Sequence, residues 1–426
     1  MQICHSYLDR SYKTGMKYIS RLILLVLLLS SLHSAAQKFD STGISRDRLE
    51  YYLKRAVTMA EFLAVDPYGN DGPYPYKSDD VRLIKNIGAK FIGRAIYRWG
   101  KEATLANPDF FDKARELVRQ VHQADPEVIF QAAVFESVGG AASQVPVPAW
   151  AFQALDMPVE TRNFRYEDML NTKGKFVNHW GKGSSVPDIT RPEAQLWLMF
   201  LCGTYMNLGC EALHLGQIAL MGMDDPGLRT WAAFIQKVRN YSKTHTAHHW
   251  VLLDAHTPQG GMVVDGKSIL DFNSFPLRIK EIPEKPMDGV LGVGYLDAIF
   301  QRSKGCITPS GWSCESLPYL VEFDNFGISQ KPGIPDTASH FIWGYDEISW
   351  FYQLPEAQRN DWLWYAYKWI KENDVNGHLQ MPISRIVTLE RGKPMIRNRG
   401  NIRSAACPVG INVEQTVKAI WKKEKK

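Results

Sequence analysis

The feature that most constrains this chain is a recurrence. Seven short runs rich in apolar, β-branched and aromatic residues fall at 89–99, 128–136, 212–220, 250–256, 269–275, 319–326 and 378–386, each separated from the next by a long connection. Near-continuous apolarity within a run means burial on both faces, the condition of a parallel strand covered by helices. Three connections read as amphipathic helices with proline at or near their start: 108–123 after Asn107, 192–208 after Arg191, and 355–373 after Leu354. Strand, crossover and parallel strand, repeated about seven times, predicts an α/β fold with right-handed connections. The leading architecture is a (β/α)8 TIM-type barrel with long loops on its carboxyl-terminal face. Either 57–65 or 290–299 supplies the eighth strand. A doubly wound open sheet competes, but no GxGxxG follows the first strand, so its nucleotide-binding version lacks its signature.

The amino-terminal segment reads differently. A short basic stretch ending at Arg21 precedes the unbroken apolar run 22–29 and then small residues, with Ser34 and Ala36 placed for cleavage. That run is too short to anchor in a bilayer, which takes about 20 apolar residues. Residues 1–36 are therefore expected to be a cleaved signal, with translation starting at Met16, and the protein to be secreted or periplasmic without stable membrane insertion. Residues 37–426 are expected to form one catalytic domain carrying a long insertion at 139–187, folded over the barrel mouth. A connection of that length is unusual unless it is functional.

Charge bears on partners only once it is located. The formal net charge is +5, but residues 1–36 and residues 422–426 each hold +3, leaving a body near neutrality. A near-neutral body offers no electrostatic case for nucleic acid. Five cysteines follow the leader: Cys202, Cys210, Cys306, Cys314 and Cys407. Cys306 and Cys314 bracket a loop of Gly, Pro, Ser and Trp and are the best disulfide candidates, while Cys202 in an apolar helical run reads as a buried thiol. No zinc-type spacing occurs, and neither a metal nor a cofactor is expected. No GxSxG elbow is present either.

In a barrel of this kind reactive groups stand where strands end and loops begin. Those positions hold Arg98 and Trp99, Glu136, Gln217, Asp254 and His256, Asn273, and Glu322, Asp324 and Asn325. Carboxylates, amides and indoles at several strand ends are the constituents of a sugar site, because glycoside hydrolysis needs one carboxylic acid, one carboxylate and flat faces for the ring. Glu322 interrupts an apolar strand, so its carboxylate has either a partner or a job; bracing against a rim arginine such as Arg98 or Arg278 is the plain alternative. Glu136 and Asp254 also end apolar runs, with turn capping as their plain alternative. Gln217 stands where a catalytic Glu would be natural; it can orient a substrate but cannot exchange a proton.

The leader, the alternation over about residues 50–390 and the strand-end acids Glu136, Asp254, Glu322 and Asp324 together resemble the secreted TIM-barrel glycoside hydrolases of polysaccharide-utilising bacteria. The resemblance is architectural. It implies a carbohydrate substrate, Glu322 as one catalytic carboxyl with Glu136 or Asp254 as its partner, and Trp99, Trp180, Trp343 and Trp350 as stacking platforms. A barrel that binds glycan without cleaving it is the second reading, toward which Gln217 leans. A structural or partner-binding surface protein is the third.

Overall fold

The computed structural model describes residues 43–64, 76–100, 104–105, 107–294, 302–335 and 340–424. The leader, residues 1–36, lies outside them. The described residues fall within one compact unit, Ser41–Lys426. Among them no helix is long and apolar enough to cross a membrane.

The fold is mixed α/β around a curled ten-stranded sheet. In chain order its strands are β1 (Ala56–Met59), β2 (Phe91–Ile96), β3 (Ile129–Ala133), β4 (Ala212–Gln217), β5 (Leu252–His256), β6 (Asn273–Pro276), β7 (Tyr319–Glu322), β8 (Gly377–Leu379), β9 (Met381–Val387) and β10 (Ile396–Arg399). Each of β1 to β7 pairs in parallel with the next; β8 lies parallel beside β7 and β9 parallel beside β1, while β10 runs antiparallel to β9. Only Gln380 separates β8 from β9, so the two flanks of the sheet are held by consecutive stretches of chain. The run read as one strand at 378–386 is thus two, and the first of the two candidate segments for the missing strand supplies β1.

The helices follow the sequence pattern closely. They are α1 (Arg46–Leu53), α2 (Lys77–Ile87), α3 (Pro108–Ala124), α4 (Pro192–Leu208), α5 (Arg229–His245), α6 (Glu347–Gln353), α7 (Glu356–Asn373) and α8 (Val413–Lys423), with two shorter helical turns at Ala149–Ala154 and Ile218–Met221. Pro192 occupies the first turn of α4, where its missing N–H costs nothing, and Gly209 ends the helix at φ 112°, the left-handed cap that glycine takes most cheaply. α4 is apolar around nearly its whole circumference, and it is buried accordingly rather than amphipathic.

What covers α4 is the long 139–187 segment. Phe164 meets Trp197 edge-on at 4.9 Å, and Trp150 stacks on Phe200 at 6.2 Å. Gly203 makes room for Trp150, whose ring would collide with any side chain there. Much of the insertion expected over the sheet's mouth therefore shields an outer helix instead, and only its later part, at Trp180, reaches the mouth.

The two ends of the sheet differ in chemistry. At the amino-terminal end, Ala56, Phe91, Ile129, Ala212, Leu252 and Leu320 from six strands form an apolar plug with Ile44, Leu49, Tyr52 and Leu53 on and before α1. At the carboxyl-terminal end β4, β5 and β7 finish in Gln217, His256 and Glu322, and Glu136 and Asp324 follow within three residues of the ends of β3 and β7.

Candidate functional site

The hub of this polar end is Glu322, the last residue of β7, buried at 2% exposure. Arg94 from β2 grips both carboxylate oxygens, with Nε 3.0 Å from Oε2 and Nη2 on Oε1. Arg385 from β9 adds Nη1 at 2.8 Å, and His256 Nε2 stands 3.3 Å from Oε1. Burial would raise the Glu322 pKa, but the two guanidinium charges outweigh it and hold the carboxyl well below the usual carboxylate range. The brace foreseen as an alternative thus exists, with Arg94 and Arg385 as the arginines rather than Arg98 or Arg278.

Arg94 reaches inward because its own backbone is irregular. The pairing of β2 with β3 shifts register between Ile92 and Ile96, and Arg94 sits at φ 58°, a conformation that costs a non-glycine residue about 1–3 kcal/mol. Its N–H donates to Gln131 Oε1 at 3.1 Å and its carbonyl accepts from the Glu61 N–H at 2.9 Å, so neither group is left unpaired.

Arg385 extends the network outward. Its Nη2 lies 3.0 Å from Asp324 Oδ1 and its Nε 2.8 Å from Asn325 Oδ1, fixing the two residues beyond Phe323. Burial pushes the Asp324 pKa up and the Arg385 charge pulls it down further, leaving it below its ordinary value.

Deeper in the sheet lies a second unit. Asp254, fully buried, accepts from Gln131 Nε2 at 2.6 Å, from the Ser274 hydroxyl at 2.5 Å and from His214 Nδ1 at 2.7 Å. A carboxylate can only accept, so His214 carries its proton on Nδ1 and turns a lone pair at Nε2, which has no protein partner. Burial, aided by the Arg94 charge, lowers the His214 pKa and keeps the ring neutral.

The third unit is Glu136, just past β3. Its Oε2 accepts the Gln217 N–H at 2.7 Å and its Oε1 the Gln217 side-chain amide at 3.1 Å. This approach depends on Gly216, at φ 54°, where a Cβ would strike the Glu136 carboxylate. Gln217, read from sequence as a group that could orient substrate, holds Glu136 and lines the same cavity. Trp180 joins the unit by donating from Nε1 to the Glu136 carbonyl at 2.9 Å.

These units share one cavity of about 410 Å³. Glu136, Asp324, Asn325, His214, His256, Gln217, Arg94 and Arg385 form its polar lining, and Tyr97, Trp99, Phe135, Trp180 and Phe326 its aromatic walls. Trp99 packs at 5.3 Å on Phe135 and meets Trp180 edge-on at 5.2 Å, so the indoles hold one another. Such a pocket, largely apolar with a few convergent polar groups, is the form that small-ligand sites take.

Other sequence candidates lie elsewhere. Arg98 is buried against Phe110, with its charge toward Glu61. Asn273 opens β6 rather than ending a strand, so it sits away from the rim with its side-chain amide buried and without a protein partner. Trp343 and Trp350 are core residues whose indole N–H groups donate to the carbonyls of Asp288 and Met287. Arg94, Arg385 and His214 were not foreseen, although each interrupts an apolar strand just as Glu322 does. Among the described residues no group of three or more His, Cys, Asp or Glu is placed to hold a metal ion.

No protein-family model matches the chain, and no curated protein matches it. The solved structures that the chain partly matches include glycoside hydrolases. A debranching enzyme from Nostoc punctiforme is 13% identical over 53% of this chain and 52% of its own, with TM-score 0.31. A GH27 β-L-arabinopyranosidase from Geobacillus stearothermophilus is 12% identical over 50% and 51%, with TM-score 0.29. A GH36 α-galactosidase from the same organism is 11% identical over 49% and 28%, with TM-score 0.27. The matched region spans about half the length of the first of these structures.

Proposed function

We propose that this protein is a glycoside hydrolase acting on an oligo- or polysaccharide in the cavity that Glu136 and Asp324 line together. The observation that carries the reading is the convergence of these two carboxylates, from the ends of different parallel strands, on one aromatic-walled pocket. Paired carboxylates beside flat aromatic faces are what cleavage of a glycosidic bond requires. Asp324, kept ionised by Arg385, is the base or nucleophile, and Glu136 exchanges the proton with the glycosidic oxygen. Glu322 and Asp254, expected from sequence to be catalytic, are positioning residues here: the first sets two arginines, the second sets the His214 tautomer. A carboxylate clamped between two guanidinium groups is a poor proton donor near neutral pH.

The architecture belonging to this reading is a closed (β/α)8 barrel in which β8 and β9 act as one eighth strand, kinked at Gln380, that joins β7 to β1. Its support is the placement of the cavity at the carboxyl ends of the strands, where barrel enzymes keep their sites. Export through a cleaved leader is part of the same proposal, and sequencing the amino terminus of the mature protein checks it.

One observation favours glycan binding without cleavage: Gln217 already occupies both oxygens of Glu136. The two readings separate experimentally. Trp99 and Trp180 report binding by a change in indole fluorescence when oligosaccharides are added, and a reducing-end assay on the same mixtures reports cleavage. Quenching accompanied by new reducing ends supports the hydrolase; quenching alone supports the binder; neither signal across a broad oligosaccharide set refutes both.

A further inference from the structure

We propose that Cys306 and Cys314 are a redox pair whose disulfide fastens the hairpin that holds the amino-terminal plug of the sheet. Cys306 stands directly opposite Cys314 in the antiparallel pairing of Cys306–Ile307 with Ser313–Cys314. The turn is closed by the Thr308 N–H on the Trp312 carbonyl and the Gly311 N–H on the Thr308 carbonyl, each at 2.9 Å. Opposed residues of antiparallel strands have Cα atoms about 4.5–5.5 Å apart, inside the span of about 4.4–6.8 Å that a disulfide bridges. The two sulfurs are 3.9 Å apart, so side-chain rotation rather than backbone movement brings them to bonding distance.

The pair differs chemically from the other cysteines. Cys202 and Cys210 are fully buried thiols, and burial pushes the Cys202 pKa up to about 12 and that of Cys210 higher still. Cys314 is partly exposed, and the hydrogen bond from Cys306 together with the Arg46 charge lowers its pKa against the effect of burial. The attacking thiolate is therefore Cys314. It displaces one thiolate from a small disulfide such as oxidised glutathione, leaving a mixed disulfide. The Cys306 thiol loses its proton, attacks the Cys314 sulfur and expels the second glutathione thiolate. Two electrons pass to glutathione, and the two protons shed by the cysteines end on its two thiols.

The residues between the cysteines give the bond something to do. Ser310 Oγ accepts the Ile44 N–H at 2.9 Å, the Trp312 indole N–H donates to the Ile44 carbonyl at 3.2 Å, and the Arg46 guanidinium lies 5.8 Å from the Trp312 ring centre. Gly43 packs so closely on Ser310 that a side chain there would collide with it. The hairpin thus clasps the segment leading into α1, whose apolar face seals the amino-terminal end of the sheet. A disulfide across the base of this loop restrains it in the unfolded chain and so favours the folded one.

The test uses the full chain, folded and equilibrated with either oxidised glutathione or dithiothreitol, then alkylated in denaturant and mapped by peptide mass. After oxidised glutathione, Cys306 and Cys314 are expected to escape alkylation together, their peptide two hydrogens lighter, while Cys202, Cys210 and Cys407 remain alkylated. Cys306→Ser is expected to retain glutathione on Cys314, and the melting temperature of the unmutated chain to rise by a few degrees on oxidation, a shift absent from that variant. Full alkylation of Cys306 and Cys314 after oxidised glutathione, or glutathione persisting on Cys314 in the unmutated chain, overturns the proposal.

Discussion

Arg94 concentrates the chemistry of the site in one residue: a strained backbone in a strand, and a guanidinium that holds a buried carboxylate ionised. Removing one partner of a buried ion pair costs about 3–5 kcal/mol, because the other charge is left without compensation. Arg94→Met is therefore expected to lose about that much stability by urea unfolding, tempered by the remaining Arg385 contact. Glu322 has a folded pKa below its unfolded value, so the unfolded state binds more protons in acid. Its stabilisation is complete above the ordinary carboxylate range of about pH 4 and is lost as pH falls through the lower folded value. Melting temperatures recorded from pH 7 down to 3 are expected to fall less steeply for Glu322→Gln than for the unmutated protein. Gly216→Ala puts a methyl group into the Glu136 carboxylate at a left-handed position, and is expected to weaken oligosaccharide binding at least tenfold, about 1.4 kcal/mol. At this scale the sequence was informative about kind and silent about partners. An acid interrupting an apolar strand marked Glu322, and the same signal marks Arg94 and Arg385, but the contact between Arg94 and Glu322 spans 228 residues of chain. No local pattern encodes such a pairing.

Among the elements, α6 has an unusual start. Asp346 caps it by accepting the Ser349 N–H at 2.8 Å and also accepts the Gly327 N–H at 2.8 Å, tying the loop that carries Asp324 and Asn325 to the helix. Burial raises the pKa values of Asp346 and Glu347 to about 7 each, with the Arg278 charge opposing the shift at Glu347. Here the folded state binds more protons than the unfolded one between about pH 4 and 7, so stability declines as pH rises through that window. The effect runs opposite to that of Glu322 and lies at higher pH. Asp346→Asn keeps an N-cap acceptor and removes the charge, so it is expected to flatten the decline in melting temperature between about pH 4 and 7. Element boundaries explain what was misplaced from sequence. The apolar run at 269–275 reads as one strand with Asn273 near its end, whereas β6 begins at Asn273, which moves that residue from the rim to the interior. Apolarity alone does not distinguish the residues leading into a short buried strand from the strand itself. The division at Gln380 was equally hidden, since it arises from pairing with two different neighbours.

For the whole molecule, the alternation of strands and helices was legible because burial on both faces imposes near-continuous apolarity, which a single sequence displays directly. The destination of the 139–187 segment was not. Its aromatics suit a binding cleft and a helix interface equally, and the apolar circumference of α4, which demands a cover, decides where most of them go. What remains at the mouth is compact: Trp99 and Trp180 braced on each other, with Glu136 and Asp324 lining the same cavity. The most direct test of the account compares the unmutated full chain with Glu136→Gln and Asp324→Asn, measuring kcat/KM on an oligosaccharide that the protein cleaves and binding by indole fluorescence. Both variants are expected to lose at least about a hundredfold in kcat/KM, in keeping with loss of an acid or base group, while still quenching on sugar binding. Either variant retaining the full rate of the unmutated protein would contradict the assignment of this cavity as the active site.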